Sequence, residues 1–339
     1  MSSKATIQEI ATQANVSVAT VSRVLNNKSI VKKETKEKVK KAMLELGFDI
    51  TEVAFPNVEA PSQLLMINLP SISNPFYNEI VKGAKDSASR RGYFLLINSQ
   101  HLHNSFNTFL YLIKQLKVAG VVMLNPLLEG ELSQLLKLTP TVLCSEFIET
   151  NPEVSYVGIN DLLATEKVMN MILSADRRKI AILSGPMRYK YARERKKGYL
   201  LALQAAGIPL LDDWVIQLPE IDFKMAYSIC IQLLNSQNRP DAIFTVSDVF
   251  AVAAIKAAQT VGLRVPEDVM VTGFDNVNFS EFMTPSITTV QQPKYQLGYI
   301  ATEMLIDQLE KKHSLPQYVI LDTEIIVRES SCKVSHTDK

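Results

Sequence analysis

One short segment concentrates side chains that suit reading DNA: Ser17, Val18, Ala19, Thr20, Ser22, Arg23 and Asn26. On a helix, Val18, Ala19, Ser22, Arg23 and Asn26 fall at i, i+1, i+4, i+5 and i+8 and share one face, while Val21, Val24 and Leu25 turn to the other. Arg23 can donate two hydrogen bonds to a guanine edge or pin a phosphate, and Ser22 and Asn26 can reach bases or backbone. Val18 and Ala19 can pack on thymine methyls. Downstream, Lys32, Lys33, Lys36 and Lys40 lie outside the apolar stripe of the next helix, where they can meet phosphates. The plain alternative is a capped surface helix with one arginine and a solvated lysine face. The turn before this helix and the basic helix after it favour the groove.

Such a face needs a small scaffold behind it. Ile7, Ile10, Ala11 and Ala14 recur at helical spacing, and Thr6 with Glu9 makes a capping box at the start. Ser17 is an N-cap type that follows a tight Ala14-Asn15-Val16 connection. Val39, Ala42, Met43 and Leu46 give a third stripe that ends at Gly47. Three short helices with a turn of about three residues between the first two make a helix-turn-helix head, expected over residues 1–48. Residues 49–62 hold Pro56 and Pro61 without periodicity and read as a linker.

Beyond residue 62, apolar runs at 64–69, 93–98, 121–124, 141–144, 154–159, 179–183, 214–217, 242–246 and 269–273 alternate with helical stretches. Continuous apolar runs separated by helices imply parallel sheets covered on both faces. A body of this length exceeds one sheet, so residues 63–339 are expected to form two doubly wound α/β lobes with a ligand cleft at the carboxyl ends of the strands.

The chain has 339 residues, of which 47% are hydrophobic and 21% charged, so disorder and mini-protein classes are excluded. Its net charge of +1 hides a split. Residues 1–48 carry nine Lys/Arg against four Glu, a net of +5, and the remainder carries 27 Lys/Arg against 31 Asp/Glu, a net of −4. Three well-separated cysteines, Cys144, Cys230 and Cys332, fit neither a disulfide framework nor a zinc finger and suit a reducing compartment. With no membrane-length apolar run and no apolar signal core, the expected location is the cytoplasm. There is no G-x-S-x-G, Walker A, G-x-G-x-x-G or H-E-x-x-H pattern, so no enzyme, cofactor or metal site is expected. His101 and His103 could offer two metal ligands, but no placed carboxylate or thiolate completes them.

The head pattern Thr6-Ile7, Ala11, Val16-Ser17 and Thr20-Val21-Ser22-Arg23-Val24-Leu25-Asn26 resembles that of the LacI/GalR family of bacterial transcription regulators. The resemblance continues through Asn74-Pro75-Phe76-Tyr77, Gly185-Pro186, Arg195-Lys196-Lys197-Gly198-Tyr199, Ser247-Asp248 and Gly273-Phe274-Asp275-Asn276. It implies a helix-turn-helix head on a body like a type I periplasmic binding protein, usually dimeric, without the C-terminal heptad helix of tetrameric members. The implied N-lobe covers about 63–160 and 292–321, and the C-lobe about 161–291 and 322–331. It implies further that Phe76 and Phe223 wall an effector cleft and that Arg195 and Asp275 bind ligand hydroxyls. A fixed guanidinium and a carboxylate can indeed clamp vicinal hydroxyls while aromatic rings stack on a flat face. Taken singly, Phe76 and Phe223 read as core, Arg195 as part of a solvated face and Asp275 as a helix cap. Tyr77, Glu146, Asn160, Tyr191 and Asp248 stand at other expected strand ends or helix starts and join the candidates.

Family members commonly carry a hinge helix in the linker whose leucine wedges into the minor groove. Here Pro56 interrupts it and Asn57 stands at the leucine's position, which predicts a linker without a stable helix. The cytidine-responsive branch shares that departure and resembles this chain at Cys144-Ser-Glu-Phe147 and over residues 285–295, whereas Val18-Ala19 is the pair of the galactose-responsive branch. The reading is thus a dimeric repressor of a near-palindromic operator that senses a small hydroxylated metabolite. A nucleoside, cytidine first, precedes a pentose or hexose. The cytidine-responsive resemblance also implies a partner activator such as the cyclic-AMP receptor protein. An exported solute-binding protein and an architectural DNA binder without an effector are the rivals. The first lacks its signal peptide here, and the second turns on whether the body binds a small molecule.

Overall fold

A computed structural model of the chain describes residues 6–25, 31–46, 62–99, 102, 105–146, 153–312 and 315–332. Asn26, Gly47, the linker with Pro56 and Asn57, and His101 and His103 lie outside these residues. The chain divides into two units, Met1–Pro61 and Ser62–Lys339.

In the first unit, α1 (Ile7–Gln13), α2 (Val18–Leu25) and α3 (Lys33–Glu45) enclose a core of Ile10, Ala11, Ala14, Val21, Val39, Ala42 and Met43. The capping box forms as its sequence dictates. Thr6 Oγ1 accepts from Glu9 N–H at 3.3 Å, and Glu9 Oε2 accepts from Thr6 N–H at 2.6 Å. Asn15 takes φ 51° in the turn, a left-handed conformation that asparagine tolerates better than most residues. Ser17 Oγ then accepts from Thr20 N–H at 3.1 Å and starts α2.

The second unit is built on two parallel sheets. The first has strand order β11-β5-β4-β3-β1-β2, from β1 (Leu64–Leu69), β2 (Phe94–Ser99), β3 (Gly120–Met123), β4 (Thr141–Cys144), β5 (Ser155–Ile159) and β11 (Tyr318–Leu321). The second has order β7-β6-β8-β9, from β6 (Ile180–Ser184), β7 (Val215–Gln217), β8 (Ala242–Thr245) and β9 (Met270–Thr272). Alternation along β1 explains why its run is apolar throughout. Leu65, Ile67 and Leu69 bury against α4 (Phe76–Arg90) and α12 (Lys294–Leu309) on one face, and Met66 joins Phe109 and Leu132 on the other. The second sheet buries one larger core under α7 (Asp161–Ser174), α8 (Lys190–Ala205), α9 (Phe223–Asn235) and α10 (Asp248–Thr260).

Between the sheets, β10 (Thr289–Gln291) pairs antiparallel with β12 (Glu324–Ile326). The chain passes from one lobe to the other after β5, between β10 and α12, and between β11 and β12. The sequence runs did not single out β10, β11 or β12; these strands hold three or four residues each, and β11 is half exposed.

Helices α4 and α12 approach closely. A Cβ on Gly83 would strike the Tyr295 carbonyl, and one on Gly298 would strike the Ile80 carbonyl, so both positions require glycine. At the end of this pair, Arg91 binds Glu303 at 2.7 Å, Asp307 at 3.0 Å and Glu310 at 2.7 Å. No helix among the described residues is long and apolar enough to cross a membrane.

Candidate functional site

In the first unit, α2 turns Val18, Ala19 and Arg23 outward, with Val18 45% exposed and Val21 fully buried. Ser22 is half-buried on the same helix. Ser17 and Thr20 serve the start of α2 itself, their hydroxyls 2.8 Å apart, and Thr6 serves the start of α1. Lys32 is exposed. Lys33 begins α3, and its side chain lies outside the described set. Three other α3 lysines pair loosely along their own helix, Lys38 with Glu34 at 3.3 Å, Lys40 with Glu37 at 3.8 Å and Lys41 with Glu45 at 3.9 Å. Such exposed pairs are weak and exchange readily for a phosphate.

In the second unit, the carboxyl ends of the strands of both sheets open onto one cavity of about 310 Å³. From the first sheet come Phe76 and Tyr77 at the start of α4, packed edge to face with centroids 5.1 Å apart, and Glu146 just beyond β4. From the second come Tyr191 and Arg195 on α8, Phe223 at the start of α9, and Asp275 beyond β9. Tyr189 and Tyr191 lie 5.4 Å apart, so aromatic faces line both sides of the cleft.

Arg195 is locked in place. Its Nε donates to Asp161 Oδ1 at 2.9 Å and its Nη1 donates to the Val246 carbonyl at 2.7 Å and lies 3.5 Å from Asp275 Oδ1. Its guanidinium carbon sits 3.4 Å from the Phe274 ring centroid and 4.9 Å from that of Tyr191. Asp275 is held by Gln292 Nε2 at 2.7 Å and Ser247 Oγ at 3.3 Å, while Lys294 donates to its carbonyl. Its φ of 109° is a costly backbone for aspartate, maintained by these partners beside the cavity.

Burial sets the electrostatics. Desolvation pushes the Asp275 carboxyl up to about 6 against the pull of Arg195 and Lys294, and pushes Glu146 up to about 7. Burial would also raise Asp161, but Arg195 and Lys190 outweigh it and draw that carboxyl below the usual range. Glu146 Oε2 accepts from Lys190 N–H at 2.6 Å across the cleft, and Lys190 Nζ donates to Asp161 Oδ2 at 2.9 Å.

Two candidates from the sequence do not line the cavity. Asn160 is exposed and caps α7, accepting from Leu163 N–H at 2.9 Å. Asp248 is buried beneath the cleft, where it accepts from Thr289 Oγ1 at 2.6 Å and Val277 N–H at 2.8 Å. It packs so tightly on Gly273 that no side chain fits there. Conversely, Ser71, Ser73, Asn74, Ser145, Arg188, Tyr189, Glu220 and Ser247 line the cavity but were not among the site candidates, although Asn74, Ser145 and Ser247 stand in the motifs that carry the resemblance. All follow apolar runs within a few residues, so the strand-end rule applied to every run would have found them. Among the described residues there is no cluster that could hold a metal ion.

Comparison with known proteins agrees with this layout. Residues 6–49 match the family of bacterial regulatory proteins described as the lacI family, and residues 170–331 match a periplasmic binding protein-like domain. The HTH-type transcriptional repressor CytR of Escherichia coli is 32% identical over 331 residues, 96% of each chain. The ribose operon repressor of Halalkalibacterium halodurans is 32% identical over 327 residues, 96% of this chain and 97% of that one. Among solved structures, a transcriptional regulator CelR-cellobiose complex is 27% identical with a TM-score of 0.74, covering 97% of this chain and 100% of that one.

Proposed function

The chain belongs to the LacI family of bacterial regulatory proteins, and we propose that this transcriptional repressor is governed by a nucleoside, cytidine first, bound between the two lobes of its body. The observation that carries this reading is the cavity itself. Aromatic faces stand on both of its walls, while Asp275, Arg195 and Ser247 gather within contact of one another, so a flat base and a ribose each find their complement. The resemblance of residues 144–147 and 285–295 to the cytidine-responsive branch supports cytidine. The ribose operon repressor and the CelR-cellobiose complex keep a pentose or hexose as the second reading.

The α2 face of Val18, Ala19, Ser22 and Arg23 is proposed to enter the major groove, joined by Asn26 and, on phosphates, by Lys32 and Lys33. A homodimer would present two such faces to a near-palindromic operator. The edge strand β2 supports pairing with a second copy, because Phe94 on it is 71% exposed. The repressor is proposed to be no enzyme, in line with the transcriptional repressors it resembles. Among the described residues none identifies a surface for the cyclic-AMP receptor protein.

A thermal-shift screen against cytidine, adenosine, ribose, galactose and cellobiose tests the effector, since a ligand at a hundred times its Kd adds about 2.7 kcal/mol. A shift with cytidine or adenosine is expected, and a shift with sugars alone overturns the nucleoside reading. Fluorescence anisotropy on operator DNA at fixed salt tests the head. Arg23→Ala is expected to weaken specific binding by about 1–3 kcal/mol while the ligand shift persists. Unchanged operator binding would remove Arg23 from the groove.

A further inference from the structure

Glu146 stands just past β4, and its buried carboxylate crosses the cleft to the first turn of α8. Oε2 accepts from Lys190 N–H at 2.6 Å and Oε1 from Tyr191 N–H at 3.4 Å. These bonds fix the plane of the carboxylate and use part of its acceptor capacity, while the side chain also lines the cavity. The phenols of Tyr77, Tyr189 and Tyr191 and the charges of Lys190 and Asp161 act on it, and Arg188 and Glu220 also line the cavity. The Lys190 ammonium is directed to Asp161 at 2.9 Å and to the Ile159 carbonyl at 3.4 Å. Glu146 therefore supplies a second buried acceptor in the cavity, on the first lobe, where Ser247 and Asp275 belong to the second.

We propose that Glu146 is the specificity determinant of the cavity, selecting ligands that present an exocyclic amine, such as aminopyrimidine and aminopurine nucleosides, over their oxo counterparts. This rests on the nucleoside reading of the same cavity. A carboxylate only accepts, so an amine satisfies it, whereas a ring carbonyl would set two acceptors against each other in a desolvated site. The cost of an unmet polar partner in such a site is what gives hydrogen-bonded recognition its selectivity. Because burial pushes Glu146 up to about 7, acid converts it into a donor that suits the oxo group. Selectivity should therefore be strong above that value and fade below it.

Calorimetric titration of cytidine, uridine, adenosine and inosine into the full-length protein at pH 8 and pH 6 tests this. At pH 8 the wild type is expected to prefer cytidine to uridine, and adenosine to inosine, by about ten- to a hundredfold, with the preference shrinking at pH 6. Glu146→Gln can keep the bond to Lys190 N–H through its amide oxygen and offers a donor beside it. The amine preference should then collapse or invert and lose its pH dependence. Equal wild-type affinity for amino and oxo nucleosides would overturn the assignment, as would a preference that survives in Glu146→Gln. Binding of sugars without any nucleoside would overturn the nucleoside reading and this inference with it. The wild-type pH comparison needs no variant, so a poorly folded Glu146→Gln would leave the test standing.

Discussion

Arg195 meets one oxygen of Asp161 twice, through Nε at 2.9 Å and through Nη2 at 2.8 Å, with both side chains buried. Asp161 is the first residue of α7 and Arg195 lies one turn into α8, so this contact ties the start of α7 to the part of α8 that lines the cleft. It also turns the remaining guanidinium edge towards Val246 and Asp275, which makes Asp161 the residue that aims Arg195.

Asp161→Ala should cost about 3–5 kcal/mol of stability, because it leaves the Arg195 and Lys190 cations buried without their shared partner. Urea denaturation followed by circular dichroism measures this. A loss below about 1 kcal/mol would show that the cluster is less desolvated than its burial implies.

Asp275→Asn and Asn160→Ala should separate the cavity from its neighbourhood. The first replaces the buried carboxylate with a neutral amide and is expected to abolish detectable ligand binding. The second removes a helix cap worth about 1 kcal/mol and should leave ligand affinity unchanged. Calorimetry on both variants decides it, and loss of binding in Asn160→Ala would return that residue to the site.

Gly298→Ala should destabilise the body by about 2–3 kcal/mol, since the added methyl meets the Ile80 carbonyl rather than a side chain that can turn away. Gly207→Ala is the contrast: nothing lies near its Cβ, and its cost comes from a φ of 66° alone, about 1 kcal/mol. Equal melting temperatures for the two variants would contradict the close crossing of α4 and α12.

The melting temperature should fall as pH rises from 5 to 8. Burial raises the carboxyls of Glu146 and Asp248 to about 7 and of Asp275 to about 6, above their unfolded values near 4. Between those limits the folded state holds more protons than the unfolded one, so its stability declines with increasing pH. Asp161 acts oppositely, being depressed, but its contribution is lost only as pH drops below about 4. Asp248→Asn should flatten the decline, and a melting temperature that rises over this range would refute the assignment.

Two buried strands, Leu64–Leu69 and Thr141–Cys144, coincide with their apolar runs, and the other buried strands differ from theirs by about a residue at an end. Phe94–Ser99 at the sheet edge and Ile180–Ser184 inside the other sheet each lie one residue later than their runs, because apolar side chains mark burial and the backbone pairing that bounds a strand leaves no mark of its own. The three shortest strands, β10 to β12, carry too few residues for periodicity to register. In the site, strand ends gave the neighbourhood of every lining residue but not the direction of its side chain. Asp248 and Asp275 both follow strands of the second sheet, yet Asp248 is turned under the cleft by Thr289 and Val277, partners distant in sequence. Phe76, Tyr77 and Asp275 line the cavity from a first helical turn or a loop, whereas Arg195, one turn into α8, is aimed at it by Asp161 and Val246, partners equally distant in sequence.

The threefold passage of the chain between lobes has a consequence for any truncated product. Neither lobe is a contiguous stretch of the message: the first sheet takes its last strand from Tyr318–Leu321, and the ribbon between the lobes takes Glu324–Ile326. A stop codon soon after α12 would thus strip an outer strand from one sheet and unpair β10 beside the other, injuring both halves at once. A break between residues 46 and 62 would separate the head from a body whose strands are all retained. Late nonsense alleles should accordingly fail as completely as early ones, whereas cleavage between the two units should spare the body.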